Sequence, residues 1–347
     1  MNASLAMRRC AMLLLLPAFI AGCASTASTQ QSMARPVKVL LITMFRGEAD
    51  AWTSRMTFDD EIRVPGLSPD YPSVRCTRAG VCLMTTGMGH ANAAASTMAV
   101  AMSPLFDLRS TYFLINGIAG IDPNVGTVGS ATWARFAVDY GIVHEIDARE
   151  MPIGWKSGYL GIDATDPKTK PSLEYRTEVF RLGEPLLQVA LALTRNAVLA
   201  DNDTAKAYRA QYEQPAAKNS PSVIQCDTAS GDTYWHGRFP GQWASEWVAL
   251  LTDGQGRYCT TQQEDNATIE SLKRGAAAGQ LDMARIAILR TASNFDRPHP
   301  LQSAYDSLKA RSGGYPASTA NLFNVGSIVV NDIVTRWERW KDGVPTP

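Results

Sequence analysis

The stretch Val81–Thr86 (VCLMTT) runs into Gly87-Met88-Gly89 and then into His90–Met102, an alanine-rich segment of helical character. A strand, a glycine turn and a helix, followed by another apolar run at Tyr112–Ile118, is the grammar of a βαβ unit. Val37–Met44 (VKVLLITM) and Ala284–Leu289 (ARIAIL) are nearly continuous apolar runs rather than alternating ones, as strands buried on both faces require. The expected fold is therefore α/β around a largely parallel sheet, with any ligand site at the carboxyl ends of the strands.

Between these strands, Ser172–Gln214 reads as two helices, around Glu178–Leu193 and Asp203–Tyr212, with no strand between them. This predicts an inserted helical lobe at about 165–220 within one domain spanning 36–340. Further helices are expected at Trp243–Thr252 and Asn266–Gly279, with one long amphipathic helix at Ser318–Trp340 and a tail at 341–347. The GxSxG, HExxH and GxxxxGK[ST] patterns are absent. The Gly87-x-Gly89 turn has Asn92 where a dinucleotide fingerprint needs its third glycine.

The first 35 residues read as an address. Arg8-Arg9 precede an apolar run from Cys10 to Ile20, which ends in Ala21-Gly22-Cys23. That order matches a secretory signal over 1–22, and a cysteine after Ala-Gly resembles a lipobox, making Cys23 the expected acylation site. Ala24 follows with no aspartate, and 23–35 is Ser-, Thr- and Gln-rich like a flexible tether. The expected location is the periplasm of a Gram-negative bacterium, anchored to the outer membrane. No other run reaches the roughly 20 apolar residues needed to cross a bilayer, which excludes a multi-span transporter. Lys+Arg and Asp+Glu are both 33, so the chain lacks the net basic charge of a nucleic-acid binder.

An oxidising compartment gives Cys76, Cys82, Cys226 and Cys259 two readings. Cys76 and Cys82 flank an apparent hairpin turn, so they suit a cross-hairpin disulfide, leaving Cys226–Cys259 by elimination. A zinc site is the rival, disfavoured by the lack of CxxC and the scattering of the four histidines. No metal and no cofactor is expected.

Several segments in order carry a resemblance. They are the first strand through Phe45-Arg46-Gly47-Glu48, then Thr86-Gly87-Met88-Gly89-His90, then Ile115-Asn116-Gly117-Ile118-Ala119-Gly120. Ser230-Gly231-Asp232-Thr233-Tyr234-Trp235-His236-Gly237, Gln263-Glu264-Asp265 and Arg290-Thr291-Ala292-Ser293-Asn294 follow. Together they resemble the nucleoside phosphorylase and nucleosidase superfamily, and within it the purine nucleoside permease family. The resemblance implies one domain around a mixed, curved sheet, a purine nucleoside as ligand, and a homo-oligomer.

By the same resemblance, Glu48 falls where nucleosidases activate water and Glu264 where ribose hydroxyls are gripped. Asn294, next to Ser293, falls where many relatives protonate the base. An amide hydrogen-bonds a purine acceptor but supplies no full proton. Asp232, Tyr234 and Trp235 fall where an aromatic stacks on the base, Gly87 and Gly89 are expected to bind substrate, and His90 either lies near the ribose or simply caps the helix it opens. Asn116 stands where phosphorylases commonly carry a phosphate-binding arginine, leaving Arg46 and the glycine turn to hold inorganic phosphate if it is a co-substrate. Hydrolysis is thus expected over phosphorolysis. The alternative is a non-catalytic lipoprotein that binds nucleosides for a separate transporter.

Overall fold

The computed structural model describes residues 34–346, so the readings of the signal segment and of Cys23 lie outside the described residues. The elements that place the site are β1 (Val39–Thr43), α1 (Arg46–Thr53), β2 (Val81–Thr85), α2 (His90–Ala101) and β3 (Tyr112–Ile121). Next come β4 (Ala131–Ala134), β5 (Phe136–Asp139), α3 (Glu184–Thr194), β6 (Asp227–Ser230) and α4 (Arg238–Leu251). β7 (Tyr258–Gln262), α5 (Asp265–Ala277), β8 (Ile286–Phe295) and α6 (Gly314–Thr335) complete the set.

These strands belong to one mixed sheet. Its path runs from Val179–Arg181 through β5, β6, β7, β3, β1 and β2 to the edge strands Ser73–Cys76 and Asp60–Arg63. β8 pairs with β3 as well and continues into β4. The two-residue side-chain period of a strand divides the core. Leu40 and Ile42 face Met84, Ile115, Ile288 and Ile269 of α5, on the side that α2 and α5 cover. Val39 and Leu41 face Trp52 of α1, Leu114, Leu289 and Val325, on the side covered by α1, α3 and α6. Continuous apolar runs thus produced a sheet covered on both faces.

Two expectations change. Glu178–Leu193 is not one helix: Val179–Arg181 pairs antiparallel with β5, and the helix begins at Glu184 with proline in its first turn. Proline's fixed φ suits the first turn of a helix, so Pro185 marks its start more firmly than the apolar period before it. The C-terminal helix stops at Thr335, and Trp337–Trp340 forms a separate turn whose Trp340 packs edge-on against Tyr112 at 5.1 Å. Cys76 is bonded to Cys82 directly across the hairpin, and Cys226 to Cys259.

One feature of the sheet creates the site. β3 pairs with β1 over Tyr112–Ile115 and, farther along the same edge, with β7 at Gly120 and Ile121. Between those stretches, Asn116–Ala119 lose their strand partner on that edge. A gap opens where β1 turns away.

Candidate active site

Glu48 fills that gap. Its carboxylate accepts the Ile118 amide on Oε1 at 2.7 Å and the Met44 amide on Oε2 at 2.7 Å, bridging the two strands where they part. The side chain comes from the first turn of α1 and is 1% exposed. Burial pushes its pKa up to about 7, against the pull of Arg290 and the two amides.

Arg290, at the middle of β8, organises the other acids. Its Nη2 meets Asp265 at 2.5 Å and Glu264 at 3.3 Å, and its Nη1 donates to the Ile118 carbonyl at 3.0 Å. Glu264, at the start of α5, accepts the Gly89 amide on Oε1 at 3.1 Å. Gly117 makes the assembly possible, because a Cβ there would lie 2.4 Å from Arg290 Nη1 and 2.8 Å from Glu48 Oε1.

A cavity of about 200 Å³ opens over this cluster, lined by Glu48, Glu264, Arg290, Met88, Tyr234, Trp235, Ser293 and Asn294 among others. At its far end β8 is bulged between Ala292 and Asn294. There Asn294 Oδ1 accepts from Ser293 Oγ at 2.9 Å and Tyr234 Oη at 3.5 Å, while its Nδ2 donates to the Phe295 carbonyl. Asp296 also lines the cavity, bound by Tyr258 Oη at 2.7 Å and by Arg297. Burial raises its pKa to about 6.

The structure therefore gathers Glu48, Glu264, Tyr234, Trp235, Ser293 and Asn294 around one cavity. Tyr234 is 59% exposed at the mouth, whereas Trp235 is committed to a stack on Tyr140. The other expected residues lie elsewhere. Asn116 is fully buried behind the site, its Oδ1 accepting from Trp52 Nε1 at 2.8 Å. Arg46 lines a separate surface cleft with Asp50, Glu61 and Asp70. Asp232 accepts the His90 amide at 2.7 Å and so caps α2. His90 lines a neighbouring groove, its ring 3.0 Å from Ser230 Oγ. Gly87 and Gly89 shape the turn behind Met88, with positive φ at both.

Arg290 and Asp296 carry structure that the motif reading did not assign. Arg290 had a signal: an arginine at the centre of an otherwise apolar strand must meet buried acids to be tolerated. Asp296 had none.

A profile of the purine nucleoside permease family matches residues 36–345. The chain belongs to that family. It is 41% identical to a probable purine nucleoside permease of Schizosaccharomyces pombe, with 90% of this chain and 92% of the relative covered. A purine nucleoside permease of Candida albicans is 40% identical, with 88% and 77% covered. Among solved structures, the permease-family fold resembles the futalosine hydrolase of Helicobacter pylori at a TM-score of 0.53. That match has 12% identity and covers 85% of this chain and 98% of the other. A mutant Helicobacter pylori nucleosidase, solved with 5'-methylthioadenosine in its active site, gives a TM-score of 0.52 at 12% identity, covering 85% and 99%. No helix among the described residues of this permease-family protein is long and apolar enough to cross a membrane.

Proposed function

We propose that this protein hydrolyses the N-glycosidic bond of purine nucleosides. The observation that carries the reading is the charge of the cavity. Glu48, Glu264 and Asp296 line it, and Arg290 is its one lining cation among the described residues. The Arg290 guanidinium already donates to Asp265, Gln262, Glu264 and the Ile118 carbonyl. A phosphate co-substrate needs uncommitted cations or converging N–H groups, and would meet carboxylates here. Water needs neither.

In this reading Glu264 accepts ribose hydroxyl protons, and its negative charge faces the ribosyl cation that forms as the bond breaks. Glu48, with a pKa near neutrality, takes the proton of the attacking water. Asn294 and the ring of Tyr234 receive the base. The names of the curated relatives support a purine nucleoside as ligand. We place the protein in the bacterial envelope on the strength of residues 1–35 alone; the curated relatives are fungal and lend that location no support.

The test is incubation with inosine, guanosine and adenosine, with and without phosphate, following free base and sugar. Equal release without phosphate supports hydrolysis. Release only with phosphate, as ribose 1-phosphate, overturns it. Saturable binding without release would favour a binding protein serving a separate transporter, a reading that Asn294 supports because its amide supplies no proton.

A further inference from the structure

Breaking a C1′–N bond sends an electron pair onto the base, and a neutral purine then leaves as an anion unless a proton meets it. The base end of the cavity offers none. Asn294 has an amide in place of an acid, and Ser293 and Tyr234 donate their hydroxyl protons to its Oδ1. Asp296, the one carboxyl group at that end, holds Arg297 Nε at 2.7 Å and Nη2 at 2.9 Å, and accepts from Tyr258 Oη at 2.7 Å. Doubly bonded to a guanidinium, with its pKa near 6, it stands there as a carboxylate at pH 7 and above. An anionic leaving base would develop beside that negative charge.

A base that is already a cation reverses this electrostatics. When its C1′–N bond breaks, the electron pair neutralises the base nitrogen, and the positive charge passes to the ribosyl ring. Water's oxygen then bonds C1′ and its proton goes to Glu48. No proton has to reach the leaving group. The charge stays at +1 throughout, moving from the base towards Glu264 and Glu48, and the site is acidic along the whole path. Tyr234 lines the cavity, and an aromatic ring there favours a cationic base over a neutral one.

We propose that the cavity is matched to nucleosides whose base carries a fixed positive charge, N-alkylated purine nucleosides being the class, in preference to neutral purine nucleosides. The inference rests on the hydrolase reading above.

The experiment compares 7-methylguanosine with guanosine at pH 7, in the wild-type protein and in Asn294→Asp, following free base without phosphate. The expected kcat/KM for 7-methylguanosine exceeds that for guanosine by at least about 100-fold, the usual contribution of a general acid. Asn294→Asp, which places an acid there, should raise guanosine turnover by a larger factor than that of 7-methylguanosine, so the ratio shrinks. Circular dichroism and the melting temperature report that the variant is folded. If it is not, the wild-type ratio decides alone, and tighter binding of 7-methylguanosine than of guanosine by calorimetry checks it. Guanosine cleaved as readily as 7-methylguanosine by the wild type overturns this inference while leaving the hydrolase reading intact. Release of base from neither nucleoside overturns both.

Discussion

The Glu48 carboxylate receives the Ile118 amide at 2.7 Å, at the point where β3 has lost one strand partner and not yet gained the next. One side chain thus closes a break in the sheet and looks into the cavity that the break creates. With its pKa near 7, it is half ionised at neutrality. Kinetics should show this directly. The value of kcat/KM is expected to rise as pH increases through about 7 and then level. Glu48→Gln keeps the shape but accepts no proton, so kcat should fall by about 100-fold or more while KM moves little. A pH–rate profile on both proteins checks it; an unchanged kcat in the variant removes Glu48 from the reaction.

The same group leaves a mark on stability. Its folded-state pKa of about 7 lies above the ordinary 4.5, so the folded protein binds this proton more tightly than the unfolded chain. Its contribution is fully present below pH 4.5, declines as pH rises, and is gone above about 7. The size is on the order of 3 kcal/mol at 1.36 kcal/mol per pKa unit. Glu48→Gln should flatten that part of the curve. The decline from Asp296, whose pKa rises from 3.8 to about 6, should remain. Urea unfolding of both proteins from pH 4 to 8 measures it.

Strands and helices were legible where local pattern decides them. Val39–Thr43 and Tyr112–Ile115 announce themselves as apolar runs, and the helix after Gly89 follows from its alanines. The gap in the sheet was not legible, because it depends on β1 and β7 meeting β3 from distant parts of the chain. Asn116, on the stretch along that gap, was expected in the site from its motif position alone, whereas its amide oxygen accepts from Trp52. Motif order brought Glu48, Glu264 and Asn294 to one cavity. It could not show that Arg46, two residues from Glu48, faces another cleft.

Arg290 is expected to matter to folding as much as to the site. It is 1% exposed and faces Asp265, Glu264 and Glu48, so removing it leaves buried carboxylates uncompensated. Arg290→Met should cost about 3–5 kcal/mol, the usual result of breaking a buried ion pair on one side. Denaturant unfolding measures this, and a loss below about 1 kcal/mol would mean the acids are solvated.

The two disulfides should differ in worth. Cys226 and Cys259 are 33 positions apart, Cys76 and Cys82 only 6. Closing the longer loop restricts the unfolded chain more, by about 4 kcal/mol against roughly 2 for the shorter. The paired serine replacement at Cys226 and Cys259 should therefore lower the unfolding midpoint more than that at Cys76 and Cys82. Equal losses would show that native packing around the sulfurs, not chain entropy, sets the effect.

Gly117→Ala tests how closely sheet geometry and chemistry are joined. The added methyl would stand 2.4 Å from Arg290 Nη1, 2.8 Å from Glu48 Oε1 and 3.0 Å from Met44 Sδ. Both charged groups are fixed by their own partners, so the strain must move one of them. Overpacking of this kind costs about 1–3 kcal/mol, and the displaced group is either the carboxylate that holds Met44 and Ile118 or the guanidinium that holds Asp265. Stability should fall by that amount while kcat falls further than stability explains, because the folded fraction stays high. Calorimetry and single-turnover rates on the same preparation separate the two. A variant with lowered melting temperature and full turnover would mean that Glu48 keeps its position without Gly117, and that the close approach is a matter of packing alone.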